Sequence, residues 1–373
     1  MVAGASDRCN SSCCHKLRSG SDVEKTYKRD PQLNRAYDVL LAGYYGFGNL
    51  GDELLAEACV RMLVSNGVPR ERIAVLSADT EGTKKSLGVS AFDRWKLSEI
   101  HKVLKESNTM LFGGGGLFQD QTSLRSCLYY WSLSQMARLC SVKTWAVGQS
   151  LGPLNTALGS YFAKKSFSRC LYRNVRNRSS LGMLNNWGFF GTQSPDLVMS
   201  LEVNRDFERG DRLLLNLRTG YDKVSRLAVS SAIKTAEERN LKISAIAFSN
   251  DDLKEFEKYV YKGTLKLDQI TVVKTLSQFE DTLSRSCCAI GMRLHFIILA
   301  FIAGLPVRGA PYDPKVVSFC KEWDIPVVGS AGAEFSSLPE AGILEETAEK
   351  VAGSFKEGLN AVLGETYGDN QNK

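Results

Sequence analysis

The chain has 373 residues, 43% of them apolar, enough for two ordinary domains with their own cores. A formal net charge of +6 is too small and too dispersed for a nucleic-acid surface. No apolar run approaches the roughly 20 residues of a membrane span; the longest, residues 296–307, is broken by Gly304 and Pro306.

The first residues carry charges and cysteines where a secretion signal needs an apolar stretch. Ten cysteines, unclustered beyond residue 14, suit free thiols in a reducing compartment. A cytoplasmic protein is therefore expected. The mild basic excess is compatible with anionic substrates or with a lipid headgroup surface at the inner face of the membrane.

Residues 1–35 read as a polar, disordered tail holding seven Lys/Arg and four Asp/Glu, half of the excess charge. Cys9, Cys13, Cys14 and His15 in that tail lack the paired Cys-x-x-Cys spacing of a zinc site, so no metal is expected. A short apolar strand over residues 37–43 opens the fold. It runs into a loop over residues 44–51 with glycines at 46, 48 and 51. A helix over residues 52–63 follows, striped by Leu54, Leu55, Ala58 and Met62, with Asp52 and Glu53 in its first turn. Strand, glycine-rich loop and helix open many α/β domains. The glycine spacing is not that of a dinucleotide fingerprint, and the Gly-Lys-Ser/Thr end of a P-loop is missing. The loop is a backbone-lined notch at the carboxyl end of a strand, or a tight turn that needs small residues for packing.

A second buried strand is expected over residues 73–78 and a helix over 97–105. The strand beginning at residue 109 meets four consecutive glycines, Gly113, Gly114, Gly115 and Gly116. Such a run loses much conformational entropy on folding, which points to a close approach to that backbone. A helix over 124–140, a strand over 143–147, Gly148-Gln-Ser-Leu-Gly-Pro, a helix over 156–170 and a strand over 171–175 complete the first half. The charged stretch 202–212 reads as an interdomain linker. A second βα series follows, with strands at 212–217, 242–248 and 270–273 and helices at 225–239, 252–261 and 277–284. Short strand-like pieces hold Val307 and Val327. A terminal helix over 345–362 has one apolar face and must pack on a domain.

Residues 287–315 organise this second half. A short apolar strand, 287–291, leads to Arg293 and His295, and then to a run that is apolar on every face and so belongs inside. An unpaired buried charge is costly, so Arg293 needs an anionic partner or water. Free backbone N–H groups at a helix start after a strand also seat phosphate or carboxylate. Lys315 returns after a Pro-Tyr-Asp-Pro turn. A core helix capped by a satisfied Arg and His remains the bland alternative. The two halves give the fold class: α/β, two facing Rossmann-like domains, the arrangement called GT-B in sugar transferases.

The order Gly-Met-Arg-Leu-His, apolar helix, Gly-Leu-Pro, Tyr-Asp-Pro-Lys resembles the polysaccharide pyruvyl transferase family. Asn49, Gly51, Asp52 and Glu53 match its Gly-Asn-x-Gly-Asp-Glu opening. Gly114, Gly115, Gly116, Phe118 and Asp120 match its Gly-Gly-Gly-x-Phe-x-Asp feature, and residues 148–153 are similar to its Gly-Gln-x-x-Gly-Pro. The family's Val-Arg-Asp-x-x-Ser is matched by Arg176 and by Ser179 or Ser180, but Asn177 replaces the acid. The resemblance covers about residues 37–330. It divides the chain into the tail (1–35), an acceptor-side domain (36–204), a phosphoenolpyruvate-side domain (205–338) and a terminal helix and tail (339–373).

The activity implied by this resemblance is the addition of two sugar hydroxyls to C2 of phosphoenolpyruvate, with loss of phosphate, to give a cyclic ketal on a cell-surface polysaccharide or its lipid-linked precursor. The enol carbon C3 must take a proton while phosphate and carboxylate are held, which calls for cationic donors and one titratable group. His295, one of three histidines, is the candidate acid/base. Arg293 is the candidate bidentate clamp and Lys315 the charge for departing phosphate. Arg176, Leu294, Asn49, Gly51, Asp52, Gly114, Gly115, Gly116 and Gln149 are candidate substrate contacts. Phosphoenolpyruvate is a co-substrate and no cofactor is implied. Two alternatives stay open: a GT-B glycosyltransferase, whose nucleotide-sugar donor would need an acid such as Asp251, Asp252 or Asp281, and a non-catalytic sensor of phosphoenolpyruvate or a phosphosugar. The sequence is silent on oligomeric state.

Overall fold

The computed structural model describes residues 35–121, 123–330 and 335–364. The tail of residues 1–34, with Cys9, Cys13, Cys14 and His15, lies outside the described residues.

Seven strands form the first sheet: β1 (Tyr37–Ala42), β2 (Ile73–Ser77), β3 (Ser90–Asp93), β4 (Ser107–Gly115), β5 (Lys143–Gln149), β6 (Cys170–Val175) and β7 (Thr192–Gln193). They lie parallel in the order β3-β2-β1-β4-β5-β6-β7. Helices α1 (Leu50–Ser65), α2 (Thr80–Leu87), α3 (Leu97–Lys105), α4 (Leu124–Leu139), α5 (Ala157–Phe167) and α6 (Arg178–Asn186) connect them. Strands β1, β2 and β4 are buried almost throughout, as a parallel sheet covered on both faces requires.

A second parallel sheet has β8 (Arg212–Asn216), β9 (Lys242–Ala247), β10 (Gln269–Val272), β11 (Ser286–Gly291) and β12 (Val307–Gly309), in the order β10-β9-β8-β11-β12. Its helices are α7 (Asp222–Arg239), α8 (Asn250–Tyr261), α9 (Leu276–Leu283), α10 (Leu294–Ile302) and α11 (Pro314–Glu322). Both sheets are therefore doubly wound, and the chain folds as two Rossmann-like domains of GT-B type. Helix α10 is buried at every position from Phe296 to Ile302, which its all-apolar sequence demands.

Some elements depart from the sequence reading. Strand β4 continues through the glycines to Gly115, because Gly113 and Gly115 pair with Val147 and Gln149 of β5. Positive φ at Gly114 (70°) and Gly115 (82°) is the reason glycine stands there. Helices α2 and α11 and strand β3 gave no clear periodic signal: α2 buries only Thr83 and Leu87, and β3 is an edge strand.

The last helix, α12 (Ala341–Leu363), follows the second domain in sequence yet packs on the first. Phe355 meets Trp145 of β5 edge-on, with ring centroids 5.4 Å apart, and the Lys143 ammonium donates to the Val362 carbonyl at 2.9 Å. A side chain at Gly358 would stand 2.7 Å from the Tyr172 ring and 2.9 Å from Trp145, which has no exposed surface.

Gly358→Ala tests this clamp. In a free helix the change is stabilising by about 0.5–1 kcal/mol. Here we expect a net loss of about 1–3 kcal/mol from overpacking, read by chemical denaturation. A more stable variant would contradict the packing of α12 described above.

Candidate active site

In each sheet the strand order reverses at one place, between β1 and β4 and between β8 and β11. Ligands of open α/β sheets bind beyond the carboxyl ends of the strands at such switch points. The two switch points face one another across a cleft of about 390 Å³. Tyr44, Asn49, Gly51, Asp52, Gly115, Gly116 and Arg176 line it from the first domain; Arg218, Tyr221, Arg293, Leu294, His295, Tyr312 and Lys315 line it from the second.

Arg293 caps the N-terminus of α10 in extended backbone, and its N–H donates to the Asn216 side chain at 2.9 Å. Its guanidinium reaches the cleft, but the forked edge is already occupied. Nε and Nη2 donate to the two oxygens of buried Asp252 at 2.6 and 2.7 Å, and Nη2 also donates to the Ser249 hydroxyl at 3.1 Å. The remaining Nη1 donates across the cleft to Asn49 Oδ1 at 3.2 Å. The bidentate substrate clamp expected of Arg293 is thus an internal ion pair. Asn49 in turn donates to Asp52, whose carboxyl is raised by burial against the opposing pull of His295.

Arg176 is likewise engaged. Its guanidinium pairs with Asp196, itself buried, at the end of the first domain. Burial alone would raise the Asp196 carboxyl; Arg176, and then His295, outweigh it and hold it well below the usual carboxylate range. His295 Nε2 stands 3.8 Å from the same Asp196 oxygen and has no hydrogen-bond partner among the described residues, while its Nδ1 edge packs on Gly51. A Cβ at position 51 would collide with the imidazole, so the glycine of the first domain shapes the seat for the histidine of the second. Asp196 thus links Arg176 to His295 in one chain across the domain boundary.

Two cations remain uncommitted. Lys315 is the second residue of α11, and among the described residues its ammonium makes no hydrogen bond or ion pair. It lies against Gly116, where a side chain would displace it. Burial, reinforced by the nearby Arg176, lowers its affinity for a proton. Arg218, just beyond β8, lies over the rings of Tyr312 and Tyr221 at 5.1 and 5.9 Å, and its Nε is buried without a partner among the described residues. Both face the same space and repel one another, an arrangement that an anion relieves.

The candidate residues therefore divide. Asn49, Gly51, Asp52, Gly115, Gly116, Arg176, Arg293, Leu294, His295 and Lys315 all line the cleft. Gly114 and Gln149, expected as substrate contacts, do not. Gly114 packs against Leu55 and Leu197, and Gln149 is fully buried, donating to the Phe112 and Gly114 carbonyls at 3.0 Å each. Their role is to hold the glycine strand from beneath. Asn177, standing where the family carries an acid, caps α6: its side chain accepts from Ser180 N at 2.9 Å and donates to the Ser150 hydroxyl at 3.0 Å. Arg218 and Asp196 were missed; the position of Arg218 just past a switch-point strand was the usable signal, whereas nothing local distinguishes Asp196. Among the described residues no cluster of His, Cys, Asp and Glu forms a metal site, and no helix is long and apolar enough to cross a membrane.

The Arg293–Asp252 assignment has a stability signature. Arg293→Ala leaves a buried carboxylate unpaired and should cost about 3–5 kcal/mol. Adding Asp252→Asn should restore most of that loss. Denaturation of both single variants and the double variant measures the coupling; additive losses would contradict the ion pair as the main role of Arg293.

Solved structures with this fold include a glycosyltransferase from Rickettsia africae ESF-5 (10% identity, TM-score 0.52), with 89% of this chain and 96% of that one covered. A UDP-GlcNAc 2-epimerase from Methanocaldococcus jannaschii is similar over 89% and 95% of the two chains (13% identity, TM-score 0.52). At such identities the likeness concerns the fold alone. No curated protein sequence matches the chain. The family model for polysaccharide pyruvyl transferase matches residues 49–314, from the asparagine that receives Arg293 to the proline before Lys315. By that match the chain belongs to the polysaccharide pyruvyl transferase family.

Proposed function

We propose that this protein transfers the pyruvyl group of phosphoenolpyruvate to two hydroxyls of a saccharide, as a cyclic ketal, with release of phosphate and without a cofactor. Family membership implies a pyruvyl donor and a saccharide acceptor. The observation that carries the finer reading is the coexistence of two uncommitted cations, Arg218 and Lys315, with a histidine backed by a buried carboxylate in one cleft.

In this reading Arg218 and Lys315 hold the phosphate and carboxylate. Protonated His295 gives its proton to C3, and C2 becomes oxocarbenium-like. The first sugar hydroxyl adds to C2 and returns a proton to the imidazole. The second hydroxyl then displaces phosphate by breaking the C2–O bond, its proton leaving with the phosphate. Asp196, pinned as a carboxylate by Arg176, stabilises the imidazolium charge. Asp52 faces the acceptor from the first domain. The glycosyltransferase alternative loses one of its candidate ribose acids, because Asp252 is fully buried and committed to Arg293.

The direct experiment is incubation with phosphoenolpyruvate and a panel of hexose and N-acetylhexosamine glycosides, scored by mass for pyruvylated product. His295→Gln keeps much of the shape and removes the titratable group. Turnover should fall by about 10²- to 10⁴-fold with a modest change in phosphoenolpyruvate affinity, and the pH profile should lose one limb. Lys315→Ala should weaken phosphoenolpyruvate binding and keep that limb. A near-normal rate with an unchanged profile in folded His295→Gln would remove His295 from the mechanism.

A further inference from the structure

At the mouth of the cleft, on the first domain, a buried arginine carries a group of rings that the proposed chemistry does not use. Arg94 is 2% exposed and has no carboxylate partner among the described residues. Its guanidinium lies 4.6–5.9 Å from the centres of five rings: Tyr44, Phe47, Trp95, Tyr129 and Tyr130. Nη1 donates to the Gly43 carbonyl at 2.6 Å and Nη2 to the Tyr130 hydroxyl at 3.3 Å. The Tyr129 hydroxyl donates back to the Arg94 carbonyl at 3.1 Å. Burying a guanidinium is costly, and here ring faces and a carbonyl offset that cost.

Three of these rings are not packed away. Trp95 is 62% exposed, Tyr44 44% and Phe47 37%. Tyr44 and Phe47 are stacked at 4.0 Å with planes 10° apart, and Trp95 stands nearly at right angles to Phe47. Tyr44 also lines the cleft beside Asn49 and Asp52, so the shelf is continuous with the reaction site. A core motif would bury these rings, whereas a rigid, exposed aromatic shelf is a preformed binding surface.

We propose that this shelf is a saccharide-stacking subsite that holds the acceptor chain, with Trp95 under the apolar face of a pyranose one or more units away from the reacting sugar. The proposal rests on the pyruvyl-transfer reading for the identity of its occupant. The negative face of an aromatic ring matches the positively polarised C–H groups of a sugar face. Beside Trp95, Asp93, Lys96 and Glu99 offer hydrogen-bonding partners for hydroxyls. Lys96 pairs with Glu99 at 3.2 Å and Asp93 at 3.7 Å, so the flank has no spare positive charge for anionic headgroups or a nucleic-acid backbone. That balance favours a neutral saccharide over a lipid surface.

The test uses the full chain without phosphoenolpyruvate, in saturation-transfer NMR against β-linked tetrasaccharides of hexoses and N-acetylhexosamines. Transfer to ring-face C–H protons is expected for at least one of them. Trp95→Ala should raise its Kd by about 2- to 12-fold, the worth of one aromatic contact, and Trp95→Phe by less. Denaturation of each variant verifies the fold, since Trp95 is exposed. Transfer from no member of the panel, or equal affinity in Trp95→Ala, overturns the proposal. Flotation with phosphatidylcholine–phosphatidylglycerol vesicles that depends on Trp95 while saccharide binding does not would assign the shelf to lipid and overturn it as well. Because binding is read without donor, Trp95-dependent saccharide binding by a protein that forms no ketal supports the subsite and removes the transferase reading. Ketal formation with Trp95-independent saccharide binding does the reverse.

Discussion

The buried pair of Arg293 and Asp252 is the constraint on which the site depends. Asp252 has no exposed surface and sits in the first turn of α8; besides Arg293 it accepts from the Phe248 N–H at 3.1 Å. Arg293 follows β11, which ends at Gly291, and stands at the N-cap of α10. The pair therefore ties the ends of β9 and β11 together and fixes where α10 begins. Two residues into that helix stands His295, whose position is set before any substrate arrives. The remaining Nη1 of Arg293 reaches Asn49, so the same guanidinium holds the first domain. A buried ion pair is weak evidence for stability by itself, and its worth here is positional.

Around that pair the cleft sorts its charges. Arg176 and Arg293 are neutralised by Asp196 and Asp252 and serve as scaffolding. Among the described residues Lys315 and Arg218 make no ion pair, and they lie against Gly116 and Tyr312. Placing anion binding on the uncommitted cations follows from electrostatics: Arg293, forked to Asp252, has little left to offer a second anion, and the charge of Arg176 is balanced by Asp196. Domain contact at the site is close as well: Leu50 N–H donates to the Phe248 carbonyl at 3.3 Å, and His295 fits against Gly51.

Much of this was legible in the chain because it is local. Apolar runs ending in glycines marked β1 and β4, and the all-apolar stretch after His295 marked a buried helix. That Arg293 needs an anionic partner or water followed from burial alone. Which acid it takes did not, since Asp252 lies 41 residues away beside an equally plausible Asp251. Gln149 looked like a ligand contact, yet its side chain turns inward to the Phe112 and Gly114 carbonyls of β4. The amphipathic face of α12 demanded a partner, but periodicity carries no information on which domain supplies it. Arg94 and its rings are scattered over residues 44–130 and converge only in the fold.

The central claim is protonation at C3 followed by cleavage between C2 and the bridging oxygen of phosphoenolpyruvate, under the cations of this cleft. It is tested most directly by running the reaction in D2O with ¹⁸O in that bridging position and weighing both products. The account predicts one deuterium in the methyl group of the saccharide ketal and all of the ¹⁸O in inorganic phosphate. Label retained in the saccharide product, or a methyl group free of deuterium, would contradict it.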